Sequence, residues 1–332
     1  KTLKGEKYLS FRPTDRLVDT GGGRIITTGG AYEYLRIAEG CAKHCTYCVI
    51  PKVRGGYRSI PMERLLDTAR QMVGEGVKEL IVIAQETTLY GTDLYGKKSL
   101  HILLEKLCRI EGLVWIRLLY CYPEEIYPEL VDTIAREPKI CHYLDLPIQH
   151  CSDSILKRMG RKTTKADLER IITEIRERIP DMVIRTTLIT GFPGETKEDH
   201  EELMQFVADM AFDRLGVFTY SPEEDTPAAG MENQVPEEVK EQRKAELMEL
   251  QQDISLELDQ ERIGEELLVF VEGKVADENA YVGRTYADAP GIDGYIFVNT
   301  GESLMTGDFV RVKVTGALEY DLIGEIADEY TE

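Results

Sequence analysis

Glu39-Gly40-Cys41-Ala42-Lys43-His44-Cys45-Thr46-Tyr47-Cys48-Val49-Ile50-Pro51 is the stretch around which the rest of the chain is arranged. It sets three cysteines at C-x3-C-x2-C spacing, between an apolar run (Tyr34 to Ala38) and a basic, glycine-containing segment (Lys52 to Arg58). Thiolates are soft ligands, so three of them on one loop point to iron–sulfur, zinc or copper. A structural zinc site or an ordinary electron-transfer cluster takes a fourth protein ligand, and here the local cysteine count stops at three. Three thiolates on a cubane [4Fe-4S] cluster leave one iron with no protein ligand, open to a substrate or cofactor. The competing reading is a zinc knuckle completed by His44, which would make the chain a zinc-stabilised, non-enzymatic binding module. His44 and Cys45 are adjacent, which strains tetrahedral closure, and no second cysteine pair lies at finger spacing.

The other four cysteines, Cys108, Cys121, Cys141 and Cys151, are scattered among apolar neighbours and read as small buried hydrophobes. An odd total of seven, three of them on the loop, points to a reducing, cytoplasmic setting rather than a disulfide framework. No apolar run approaches the ~20 residues of a membrane span, and no signal peptide is visible. A formal net charge of −20 weighs against a bulk nucleic-acid binder and favours a basic protein partner or a small molecule.

Outward from the loop, residues 31–235 alternate short apolar strands with amphipathic helices. Strands are expected at Tyr34–Ala38, Glu79–Ala84, Val114–Tyr120, Tyr143–Leu146, Val183–Ile189 and Arg214–Thr219. Helices are expected at Pro61–Val73, Ser99–Cys108, Glu124–Ala135, Lys165–Arg178 and Lys197–Met210; Thr164 with Asp167 and Thr196 with Asp199 have capping-box spacing. Six such alternations imply an α/β fold with a parallel sheet and are too few for a complete eight-fold barrel. A doubly wound sheet fits the pattern, but a partial, open, six-stranded parallel β/α barrel is favoured, because it leaves a lateral opening for a large substrate. Residues 1–30, with Gly21-Gly22-Gly23 and Gly29-Gly30, read as a linker or the remnant of a missing N-terminal domain. Residues 236–262 read as one connecting helix, with Pro236 at its start and glutamates in its first turn.

From Ile263 the apolar period changes to two. Leu267–Val271, Tyr281–Tyr286, Tyr295–Asn299, Phe309–Thr315 and Leu322–Ala327 suggest a small antiparallel five-stranded barrel of the oligonucleotide-binding type over 263–332. Four basic residues against fifteen acidic ones give this module a charge of −11. A barrel that gripped RNA phosphates would need the opposite sign.

The cysteine spacing, with Tyr47 before the last cysteine, resembles the signature of the radical S-adenosylmethionine (SAM) superfamily. Within it the chain is similar to the methylthiotransferases, over Arg36 to Cys41, Ile50 to Ser59, Leu146 to His150 and Arg185 to Glu195. The terminal barrel looks like that family's TRAM domain. Ala84-Gln85-Glu86-Thr87-Thr88-Leu89-Tyr90-Gly91 looks like the branch that modifies an aspartate of ribosomal protein S12. The tRNA methylthiotransferases, the sibling alternative, usually carry a Gln-Asn-containing segment there. The resemblance implies that Cys41, Cys45 and Cys48 ligate the [4Fe-4S] cluster, whose open iron chelates SAM. The reduced cluster then cleaves SAM to methionine and a 5′-deoxyadenosyl radical, and a methylthio group is added at the β-carbon of the aspartate. A second SAM supplies the methyl group. It also implies a second [4Fe-4S] cluster on an N-terminal domain; residues 1–40 contain no cysteine, so that domain is expected to be absent.

Other roles follow from the resemblance with simpler alternatives beside them. Tyr47 is expected near the adenine, or merely packed at the barrel mouth. Gln85 and Glu86, after a strand, are placed to bind the SAM amino group, and Arg185 and Gln149 to reach its carboxylate or ribose; residues at strand ends are also often structural. Gly191, with Gly194, would allow close approach to SAM or simply form a turn around Pro193. The expected partners are the basic protein S12, within or near the small ribosomal subunit, and an electron donor such as a flavodoxin or ferredoxin; a monomer is expected.

Overall fold

Aliphatic runs too short for helices but flanked by good helix formers produce regular strand–helix alternation. The computed structural model describes residues 31–327, so the expected linker over 1–30 lies outside the described residues. After β1 (Tyr32–Arg36) the chain makes a small antiparallel pair, β2 (Ala38–Glu39) and β3 (Arg58–Ser59), with the cysteine loop and α1 (Ile50–Arg54) between them. There follow α2 (Met62–Gly74), β4 (Glu79–Ile83), α3 (Thr92–Tyr95), α4 (Leu100–Cys108), β5 (Trp115–Leu118), α5 (Pro128–Arg136) and β6 (Ile140–Asp145). The core ends with α6 (Asp153–Arg158), α7 (Lys165–Arg178), β7 (Val183–Thr190), α8 (Lys197–Met210) and β8 (Arg214–Thr219). Helix α9 (Glu237–Glu261) leads to β9 (Glu266–Lys274), β10 (Ala280–Arg284), β11 (Ile296–Asn299), β12 (Phe309–Ala317) and β13 (Leu322–Ile326).

The core sheet runs β1-β4-β5-β6-β7-β8, every pairing parallel, and its ends do not close on each other. This is the expected six-stranded partial barrel. The capping boxes form as read: Thr164 and Thr196 each accept from the backbone of the aspartate three residues on, and start α7 and α8. The expected helix over Glu124–Ala135 is instead a 3₁₀ turn at Pro123–Glu125 followed by α5. Pro128 cannot donate into a continuing helix but suits a first turn.

The terminal strands close into a barrel, in the order β10-β11-β13-β12-β9. It is not wholly antiparallel: β11 and β13 pair in parallel, while the other four pairings are antiparallel. The residues between them cross over through β12, a long-range choice that period-two patterning does not reveal. A bulge at Val282/Gly283 turns one corner, where a Cβ on Gly283 would lie 2.5 Å from Val269.

This barrel packs against the start of the core strands. Trp115, the first residue of β5, lies 4.8 Å edge-on from Phe309 and stacks near Phe270. Around this apolar patch runs a buried ionic network. Glu79, fully buried, accepts from Arg117 Nε at 2.9 Å and Arg284 Nη2 at 2.7 Å. Arg214 pairs with Asp288 at 2.9 Å and with Asp259 of α9 at 3.5 Å. Two of the fifteen acids counted in the terminal module, Asp288 and Asp293, therefore face core arginines rather than solvent.

Candidate active site

The cysteine loop leaves the end of β2 and is shaped by backbone bonds. Gly40 has φ +80°, and a Cβ there would overlap the Gly56 carbonyl oxygen and lie 2.6 Å from that of Gly55. Only glycine accepts both the left-handed backbone and this approach. The Gly40 amide donates to Gln85 Oε1 at 2.7 Å and the Cys41 amide to Gly55 O at 3.2 Å. Further on, the Thr46 amide donates to Met159 O at 2.9 Å, and Thr46 O accepts from the Ala228 amide at 2.9 Å.

Cys41 and Cys45 are buried, Cys48 is half-buried, and all three are free. Burial pushes the Cys41 thiol up to about 11 and raises that of Cys48. Among the described residues no three Cys, His, Asp or Glu side chains converge tightly enough for one metal ion, and His44 is exposed. Three free thiols with His44 exposed leave a zinc site short of its fourth protein ligand, whereas a four-iron cluster takes three thiolates and leaves one iron open, so the donor set fits the cluster.

Facing the loop, Glu86 follows β4 and is fully buried. Its Oε1 accepts from the Thr88 amide at 3.1 Å and from the Thr88 hydroxyl, whereas Oε2 has no partner among the described residues. Burial raises its carboxyl to about 7. An orphaned buried carboxylate oxygen calls for a cationic or donor group from a ligand.

The remaining expected site residues are placed as follows. Gln85 holds the loop through Gly40. Tyr47 packs edge-on to Phe192, 6.3 Å between ring centres, and burial raises its hydroxyl. Gln149 has φ +72°; its amide donates to Thr187 O and its carbonyl accepts from the Ile189 amide, which bridges it to β7. Arg185 pairs with Asp145 at 3.0 Å and with Asp293 of the terminal module at 3.3 Å. At Gly191 (φ +70°) a Cβ would overlap the Lys240 side chain, so close packing of α9 accounts for this glycine. Cys108, Cys121 and Cys151 belong to the main apolar core and Cys141 to the patch under the terminal barrel.

Sequence reasoning did not find Lys43, Tyr122, Glu124 and Arg161. Lys43 pairs with Glu124 and Glu125, and both Lys43 and Arg161 lie over the Tyr122 ring. These residues come from separate segments, and no local pattern marks them.

Residues 35–207 match the Radical SAM superfamily, and residues 263–327 match the TRAM domain. Over 324 residues the chain is 60% identical to ribosomal protein uS12 methylthiotransferase RimO of Lachnoclostridium phytofermentans, covering 98% of this chain and 74% of that protein. The chain belongs to the RimO family of radical SAM methylthiotransferases. The RimO of Clostridium botulinum is 51% identical over 328 residues, covering 99% of this chain and 73% of its own length. Coproporphyrinogen III oxidase (HemN) of Escherichia coli, a radical SAM enzyme, superposes with a TM-score of 0.51 at 19% identity. It covers 71% of this chain and 54% of its own, a likeness of fold alone. Among the described residues of this RimO-family chain no helix is long and apolar enough to cross a membrane.

Proposed function

We propose that this enzyme adds a methylthio group to ribosomal protein S12, as the names of its RimO relatives indicate for them, and that the group goes to the β-carbon of an aspartate. The observation that carries the reading is a preshaped loop of three free thiols beside the orphaned Glu86 carboxylate. Cys41, Cys45 and Cys48 would hold the [4Fe-4S] cluster. Glu86 Oε2 suits the ammonium of SAM, the Gln85 side chain keeps the loop in place through Gly40, and Tyr47 walls the loop against Phe192. When bound, a reduced cluster and SAM would supply a 5′-deoxyadenosyl radical, the kind of reagent an unactivated C–H bond requires. The protein's share is to hold SAM and substrate in line and keep water away. Arg185 and Gln149 are assigned a supporting role, keeping β6, β7 and the terminal module in register around the barrel. Asp145, bonded to Arg185, also accepts from the Tyr120 amide at 3.0 Å, which links this network to the end of β5. The acidic terminal module supports a basic protein substrate, and a flavodoxin or ferredoxin is the class of donor such a cluster takes electrons from. A second [4Fe-4S] cluster is the proposed site of sulfur delivery.

The test is to reconstitute the full-length enzyme anaerobically and give it SAM and reductant. Small ribosomal subunits and bulk tRNA are then offered separately, and the methylthio mass increase is sought by mass spectrometry. A shift mapped to one aspartate of S12 is expected; a shift on tRNA alone would overturn the substrate.

A further inference from the structure

We propose that Arg161 is a positioning residue that sets the reduction potential of the cluster on Cys41, Cys45 and Cys48, an inference that rests on the cluster reading above. The turn after α6 is pressed onto the cysteine loop. Thr46 donates from its amide to Met159 O at 2.9 Å and from its hydroxyl to Arg158 O at 2.8 Å. At Gly160 (φ +75°) a Cβ would stand 2.9 Å from His44 O. These contacts flank Cys45 on both sides, and Arg161 is the next residue along the turn.

Its side chain is 1% exposed. Nη2 donates to Pro147 O at 3.1 Å and lies 3.4 Å from Glu124 Oε2, and the guanidinium sits 4.5 Å from the centre of the Tyr122 ring. Nε and Nη1 have no partner among the described residues. Two buried cationic nitrogens whose three N–H groups are left unpaired are expensive, so the arrangement fits an anionic acceptor at the loop.

A [4Fe-4S] core with three thiolates is an anion and becomes more negative on reduction. A fixed buried cation beside the loop favours the reduced form and raises the potential. Glu124 opposes it, since its carboxylate partly neutralises both Arg161 and Lys43.

The experiment titrates the reconstituted holoenzyme potentiometrically, following the electron paramagnetic resonance signal that SAM perturbs. Arg161→Gln should lower the ratio of reduced to oxidised cluster at fixed potential at least tenfold, about 59 mV for a one-electron couple. Arg161→Lys, which keeps the charge, should stay near wild type, and Glu124→Gln should move the ratio the other way. A merely structural arginine predicts lower iron content and stability with an unchanged potential in whatever protein is loaded; that result overturns the inference. If Arg161→Gln does not load a cluster, Glu124→Gln decides: no rise in the ratio refutes the proposal. A wild-type protein that assembles no cluster sinks the functional reading and this one together, whereas a loaded, SAM-cleaving enzyme with an insensitive potential sinks this one alone.

Discussion

Replacing Glu79 by glutamine tests how the two barrels are joined. Glu79 is fully buried and lies between two fully buried guanidinium groups, Arg117 from β5 and Arg284 from the terminal barrel. In Glu79→Gln the shape persists but the anion is gone. Arg284 keeps Glu272 at 2.5 Å, whereas Arg117 is left with the carbonyls of Tyr286 at 2.6 Å and Thr285 at 3.3 Å. Breaking a buried ion pair from one side costs about 3–5 kcal/mol. Because Arg284 retains one carboxylate, we expect the lower end, about 3 kcal/mol, and a fall in Tm of roughly 6 °C. The sole tryptophan of the chain, Trp115, packs on Phe270 and Phe309 across this interface, so its fluorescence in a urea titration reports the loss directly. Burial alone would raise the Glu79 carboxyl, but Arg284 and Arg117 outweigh it and hold the group below the usual range. Its stabilisation is therefore full above the ordinary carboxylate range and lost as pH falls through the depressed value. The difference between wild type and Glu79→Gln should shrink in acid. A variant within about 0.5 kcal/mol of wild type at pH 7 would refute the argument, since it would mean that water screens the pair as at a surface.

Three further outcomes are expected. Gly40→Ala adds a Cβ against the carbonyls of Gly55 and Gly56 and strains a left-handed residue by about 1–2 kcal/mol before the clash is counted; iron and sulfide content per chain after reconstitution should fall, and full loading would show the loop to be pliable. In the cluster-free protein the Glu86 carboxyl, raised by burial from 4.5 to about 7, favours the folded state below pH 4.5. That advantage disappears as pH rises toward 7, at about 1.4 kcal/mol per unit; Glu86→Gln should abolish this part of the stability profile in denaturant titrations at several pH values, and an unaltered profile would contradict the orphaned-carboxylate argument. Cys45→Ala should lose both iron and reductive SAM cleavage, and retained cleavage in a chromatographic assay for 5′-deoxyadenosine would rule out the ligand assignment.

What could be read from the sequence was local. Helices α7 and α8 begin where Thr164 and Thr196 cap them, and β8 spans Arg214–Thr219 as expected, since each signal lies within a few residues of its effect. Strand β6 starts at Ile140, three residues before the expected Tyr143, because it runs through Cys141 and His142 rather than along a clean aliphatic run. The parallel β11–β13 pairing was illegible because it is decided by barrel closure. At the site the cysteines announced themselves through spacing on one loop. Arg161, Tyr122 and Glu124 arrive on later segments and meet the loop only in three dimensions. The acid count of the terminal module was correct as arithmetic but overstated its surface charge, since Asp288 and Asp293 turn inward.

The contacts that shape the cysteine loop come from the chain itself: Gly55 and Gln85 on one side, Met159 and Ala228 on the other. In zinc fingers, by contrast, metal and fold arrive together and a chelator unfolds the protein. Here these four ties do not run through the thiols, so chelating the cluster is expected to leave the far-ultraviolet circular dichroism of the chain unchanged. A cluster lost to oxygen is then expected to leave the anchors of the loop in place, so that iron and sulfide can be put back without refolding the chain.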